Sequence, residues 1–168
     1  MYQGLLQSGY RKKVLAQYLH SFVDILKSKV GAQMHYQVIF CFWLLTFEEQ
    51  VAEKINKYGP SSSYLGCGLT IVSRQHDIIP LLIDIAQNAV KEKVIRVVVA
   101  TFRNLVSKAP SANLPAMLVA KLLPFVNSLS TRKWTDDEIV EDIQYLQEEL
   151  KANFKSLRYT IHSFPAPS

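Results

Sequence analysis

The chain has 168 residues, 49% of them hydrophobic and 20% charged, with a formal net charge of +5. That length holds one domain with a core, and that balance excludes a disordered chain. The longest apolar run, residues 38–45, falls far short of the ~20 residues of a membrane span, so no membrane insertion is expected.

The opening "MYQGLLQSGYRKK" places its charges after a short mixed segment, unlike a signal peptide. "RKK" at 11–13 is the one basic run, and the other cations are scattered, which argues against a nucleic-acid partner. "FVDIL" (22–26) and "HYQVIFCFWLLTF" (35–47) read as helical, the second apolar nearly all round. Helical character ends at Tyr58 and resumes near Asp77. The stretch 59–76 between them, with "GPSSSYLGCG", lacks the lysine and spacing of a phosphate-binding loop and is expected to be an inserted loop between repeats.

"IIPLLIDI" (78–85) begins the next helical segment, and "KVIRVVVATFRNLV" (93–106) follows. Its "VVV" imitates a strand, but its length and the absence of turn residues favour a buried helix. "LLPFVNSL" (122–129) precedes "TDDEIVEDIQYLQEELKANFKSL" (135–157). There Ile139, Ile143, Leu146, Leu150, Phe154 and Leu157 form one helical stripe. Thr135 and Glu138 have capping-box spacing, and Asp136 and Asp137 suit a helix start. The last ten residues, 159–168, are expected to be a disordered tail after a single domain over 1–158.

These segments repeat. An offset of 44 aligns 78–85 with 122–129 and carries Ile95 to Ile139, Phe102 to Leu146 and Val106 to Leu150. An offset of 60 aligns "FVDIL" with "LIDIA" (82–86), and Trp43 meets Phe102 at 59. Without residues 59–76 the longer offset becomes about 42, within the ~40–47 period of armadillo and HEAT repeats. The fold expected is an all-α, armadillo/HEAT-like, right-handed solenoid of about three repeats, each a shorter helix followed by a longer buried one. Trp43 and Phe102 are expected to be equivalent buried residues.

No catalytic constellation emerges, and neither a cofactor nor a metal is expected. His20, His35, His76 and His162 are scattered without metal-ligand spacing. Cys41 sits among apolar residues and Cys67 has no cationic neighbour, so neither reads as a nucleophile, and the two make no disulfide framework. Lys93, Arg96 and Arg103 recur on one helix face, bordered by Asn104. This stripe is either solvated outer surface or the inner face of the superhelix, where solenoids bind partners. In the second case it suits an acidic segment.

"HYQVIFCFWLLTF", "VKEKV" running into "ATFRNL", and "KWTDDEIVEDIQYLQEEL" resemble, in this order, the N-terminal armadillo/HEAT-like domain of the H subunits of V-type proton ATPases. The resemblance covers roughly 33–58 and 77–152. Relative to that family the chain begins inside the N-terminal domain, carries 59–76, and stops at "RYTIHSFPAPS" without the C-terminal domain. The resemblance implies a non-catalytic regulatory component that couples ATP hydrolysis to proton pumping and silences hydrolysis when the soluble sector detaches. It implies contacts with the pump's stalk subunits and the cytosolic part of its membrane sector, at the cytosolic face of vacuolar and endomembrane compartments. The alternative is a generic armadillo-like adaptor for acidic peptides.

Overall fold

A computed structural model of the chain describes residues 10–55 and 78–162, with side chains to residue 155. The described residues form helices and no strand: α1 (Tyr10–Lys27), α2 (Ala32–Leu45), α3 (Glu49–Lys54), α4 (Ile78–Gln87), α5 (Glu92–Lys108), α6 (Pro110–Val119), α7 (Leu122–Ser130) and α8 (Asp137–His162). The expectations for 59–76, Cys67 and His76, and for the side chains of Leu157 and His162, lie outside them. α8 runs to His162, past the boundary expected at residue 158.

The architecture is an all-α solenoid. Three helix pairs, α1–α2, α4–α5 and α7–α8, stack in order, with the short helices α3 and α6 leading from one pair to the next. In the last two pairs the second helix is the longer, as expected. The first pair reverses this, with 18 residues in α1 and 14 in α2.

Burial gives each repeat its register. Val38, Ile39, Phe42 and Leu45 of α2 are buried, and so are the residues sixty positions later, Val98, Val99, Phe102 and Leu105 of α5. The offset of 44 then carries Ile95, Val99, Phe102 and Val106 to the buried Ile139, Ile143, Leu146 and Leu150 of α8. Trp43 breaks the expected pattern. It is only partly buried, and Phe42, fully enclosed, is the counterpart of Phe102. Phe154 departs too: it is exposed, so the apolar stripe of α8 is covered only as far as Leu150.

Helix α5 shows why its valine run does not form a strand. Val97, Val98 and Val99 are all buried because α5 lies between α2 and α8, with α3, α4 and α6 also against it. Burial of each branched side chain is worth about 1.5–3 kcal/mol, which outweighs a propensity penalty below about 0.7 kcal/mol. At the carboxyl end of α5, the buried Asn113 of α6 donates its amide to three carbonyls, those of Leu105, Ala109 and Ala52, at 3.2, 2.9 and 2.9 Å. Leu105 and Ala109 also accept the backbone N–H groups of Ala109 and Asn113, so the amide adds a second donor at the end of α5 and, through Ala52, ties α6 to α3.

α6 and α7 meet at Lys121, whose φ of 61° is left-handed, and their axes turn by 83° there. Among the described residues no single helix is long and apolar enough to cross a membrane.

Candidate functional site

The starts of α2, α5 and α8 lie side by side, and a recess of about 290 Å³ opens between these three helices. Helical spacing brings its walls together. On α2, Tyr36, Phe40 and Trp43 follow one another at i, i+4 and i+7, and Phe47 continues the row just past the helix end. Their rings touch in sequence, with centroids 6.0, 5.2 and 5.1 Å apart. On α5, Lys93, Arg96, Val97 and Ala100 face the same space, and the small Ala100 keeps its floor open. Glu138, Ile139 and Asp142 of α8 close the third side.

Of the expected basic stripe, Lys93 and Arg96 line this recess and Arg103 and Asn104 lie further along α5, and each of the four has a partner inside the chain. Lys93 donates to Gln33 Oε1 at 2.6 Å and sits 4.7 Å from the Tyr36 ring centre, a cation–π contact. Arg96 pairs with Asp136, and Arg103 pairs with Asp142 while its guanidinium lies 5.4 Å from the centre of the Tyr145 ring. Asn104 donates to Thr46 Oγ1 at 3.3 Å and to the Trp43 carbonyl at 3.5 Å. The stripe therefore clamps α5 to α2 on one side and to α8 on the other.

Asp136 does two jobs. α8 begins at Asp137, so Asp136, not Thr135, occupies the N-cap, and its Oδ1 accepts the backbone N–H of Glu138 at 2.9 Å. Its other carboxylate oxygen holds Arg96. Thr135 instead donates its hydroxyl to Glu92 Oε1 at 3.4 Å, joining the starts of α5 and α8.

The recess thus combines aromatic faces with side chains of both charges. Burial, joined by the nearby Glu149 and opposed by Arg103, holds the Tyr145 phenol above its usual range, so it remains a hydrogen-bond donor. Cys41 is half-buried and its thiol is pushed up by that burial, away from the reactive thiolate. Among the described residues no three His, Cys, Asp or Glu side chains gather as metal ligands. His20 pairs with Asp24 at 3.4 Å, and His35 lies elsewhere, with an enclosed Nε2 that has no hydrogen-bond partner.

The aromatic row and the two carboxylates Glu138 and Asp142 belong to the recess although neither was expected there. The row's signal is the i, i+4, i+7 spacing inside "HYQVIFCFW"; the carboxylates carry none, because the cations that share the recess lie about forty residues away in sequence.

The family of V-ATPase H subunits matches residues 1–62 and 68–150. The match resumes at 68, so within the expected insertion at 59–76 it leaves out residues 63–67. The V-type proton ATPase H subunit of Drosophila melanogaster is 33% identical over 144 residues, covering 83% of this chain and 27% of the relative. The first of two probable V-type proton ATPase H subunits of Caenorhabditis elegans is 36% identical over 128 residues, covering 73% and 24%. The probable V-type proton ATPase H subunit of Oryza sativa subsp. japonica is 31% identical over 159 residues, covering 91% and 30%. The chain thus spans between 24% and 30% of the length of these relatives. The match takes in all of α2 and α5 and the half of α8 that lines the recess, and the chain belongs to the family of V-ATPase H subunits.

Proposed function

We propose that the chain serves a V-type proton ATPase as part of its regulatory H subunit, coupling ATP hydrolysis to proton transport through contacts with other pump subunits. It catalyses no reaction itself and needs no cofactor. Its partners are the stalk subunits and the cytosolic part of the membrane sector, and it works peripherally on the cytosolic face of acidified compartments. The observation that carries this reading is the family match across the helices that build the recess.

Lys93, Arg96, Arg103 and Asn104 are the contact residues in this reading. An acidic partner segment would trade places with Asp136 and Asp142 on the two arginines while its apolar side chains met the Tyr36–Phe40–Trp43 row. The test is capture of the pump's stalk subunits from solubilised membranes by the tagged chain. Specific recovery of those subunits supports the reading. Recovery of unrelated acidic peptides with no pump subunit would favour the generic adaptor.

A further inference from the structure

Away from the recess, the turns that precede α2, α5 and α8 carry a feature the groove does not use. Lys93 reaches Gln33 and Thr135 reaches Glu92, so the starts of the three helices are neighbours and their turns line one edge of the solenoid. Those turns read "KSKVG" (27–31), "NAVK" (88–91) and "TRKWT" (131–135), with five cations and no carboxylate. Lys27, Lys29, Lys91, Arg132 and Lys133 are all exposed, and none forms an ion pair with another described residue. Val90, on the middle turn, is 97% exposed.

Between the first two turns lies a cavity of about 410 Å³, lined by Lys27, Lys29, Asn88 and Val90. The enclosed Nε2 of His35, which has no partner, belongs to its wall. Asp84 is the one carboxylate lining it, and that group accepts the Asn88 amide at 3.2 Å. Asp137 and Glu92 stand just behind the turn tips and reduce the local positive charge without removing it. The opposite edge differs: Glu48, Glu49 and Glu53 cluster where α2 ends and α3 runs.

We infer that the edge formed by these three turns docks on an anionic membrane surface, with headgroup phosphate received between the first two turns. Lysines on turn tips are mobile, hydrated point charges without the fixed fork that recognises one carboxylate. Spread over three turns at helix-packing spacings of ~10 Å, they match an extended charged plane better than one ordered chain. An exposed aliphatic tip among them suits the headgroup boundary. This surface is separate from the recess and does not depend on its role.

The experiment is sedimentation of the full chain with phosphatidylcholine vesicles, with and without phosphatidylserine, at low salt. Binding is expected only where the anionic lipid is present, falling as salt rises. The Lys29→Ala/Lys91→Ala/Lys133→Ala variant should bind on the order of 100-fold more weakly, at about 5-fold per lysine near the surface. Lys54→Ala/Lys108→Ala/Lys151→Ala removes the same charge elsewhere and should lose less than about 5-fold, with circular dichroism verifying both folds. Equal losses in the two variants, or no binding to anionic vesicles, would overturn the inference. So would capture by polyglutamate with no vesicle binding, which would make the edge a protein-docking surface.

Discussion

Arg103 and Asp142 join α5 to α8 by an ion pair whose two ends are unequal: the arginine side chain is 45% exposed and the aspartate 13%. With so much solvent on the arginine, the pair itself is worth about 0–1 kcal/mol. Its loss is not symmetric. Arg103→Ala leaves a mostly buried carboxylate without its counter-charge, at about 1–3 kcal/mol, whereas Asp142→Ala leaves a guanidinium that water can solvate. Chemical denaturation should therefore show the arginine variant as the less stable by about 1 kcal/mol. Asp142 stands where Val98 stands one repeat earlier, so Asp142→Val is expected to be neutral or stabilising. Equal losses for both alanine variants would mean that the carboxylate is solvated in the native state.

Phe42 and Phe102 are wholly buried at matching repeat positions. Replacing either with Ala should cost about 3–5 kcal/mol. Trp43→Ala should cost less than half as much, because one side of that ring faces the recess. A Trp43 loss as large as that of Phe102 would restore it to the core and undo the offset of 60.

Asn113 tests how α6 is held. Asn113→Ala removes three hydrogen bonds at once, but the carbonyls of Leu105 and Ala109 keep their backbone N–H donors, so the expected loss in equilibrium denaturation is about 1–3 kcal/mol. Asn113→Asp should be at least as damaging, since it sets a carboxylate against carbonyl oxygens. A neutral Asn113→Ala would show that water replaces the amide completely.

Cys41 supplies a pH-linked check. Burial raises its thiol from the usual value of 9.0, so the folded chain keeps the proton longer than the unfolded one. The associated stability is fully present below pH 9.0 and declines as pH rises through the folded-state value. Alkylation followed at the Cys41 peptide should be slow at about pH 8 in the native protein and fast in denaturant. Equal rates in the two states would place the thiol at the surface.

The parts of this fold legible in the sequence are those written by period. The offsets of 44 and 60 between helix pairs survive in the burial pattern, because each repeat buries the same face. Pairing Trp43 with Phe102 misses the true counterpart by one residue, because matching aromatics by type ignores which face carries them. Helix α6 is hard to see in the sequence since "PSANLPAMLV" contains two prolines, although Pro110 at the first turn suits a helix start. The N-cap falls at Asp136 and not Thr135 because both residue types cap well and only the path of the chain chooses. In the recess, the cations on α5 are readable from their spacing. Their carboxylate partners on α8 are not, because tertiary packing alone brings them across.

In the proposed function, the recess between α2, α5 and α8 is where this chain would meet a pump subunit. Reversing Arg96 and Arg103 to Glu would set like charges against Asp136 and Asp142 and threaten the fold itself. The milder Arg96→Gln/Arg103→Gln pair, with Trp43→Ala as a second variant, separates contact from folding. The decisive measurement is a titration of each folded variant against purified stalk subunits at low and high salt. At least a tenfold weakening is expected for both variants, with the salt dependence of binding reduced in the double-glutamine variant. Unchanged affinity in both, with native circular dichroism, would contradict the claim and remove the recess from the pump interface.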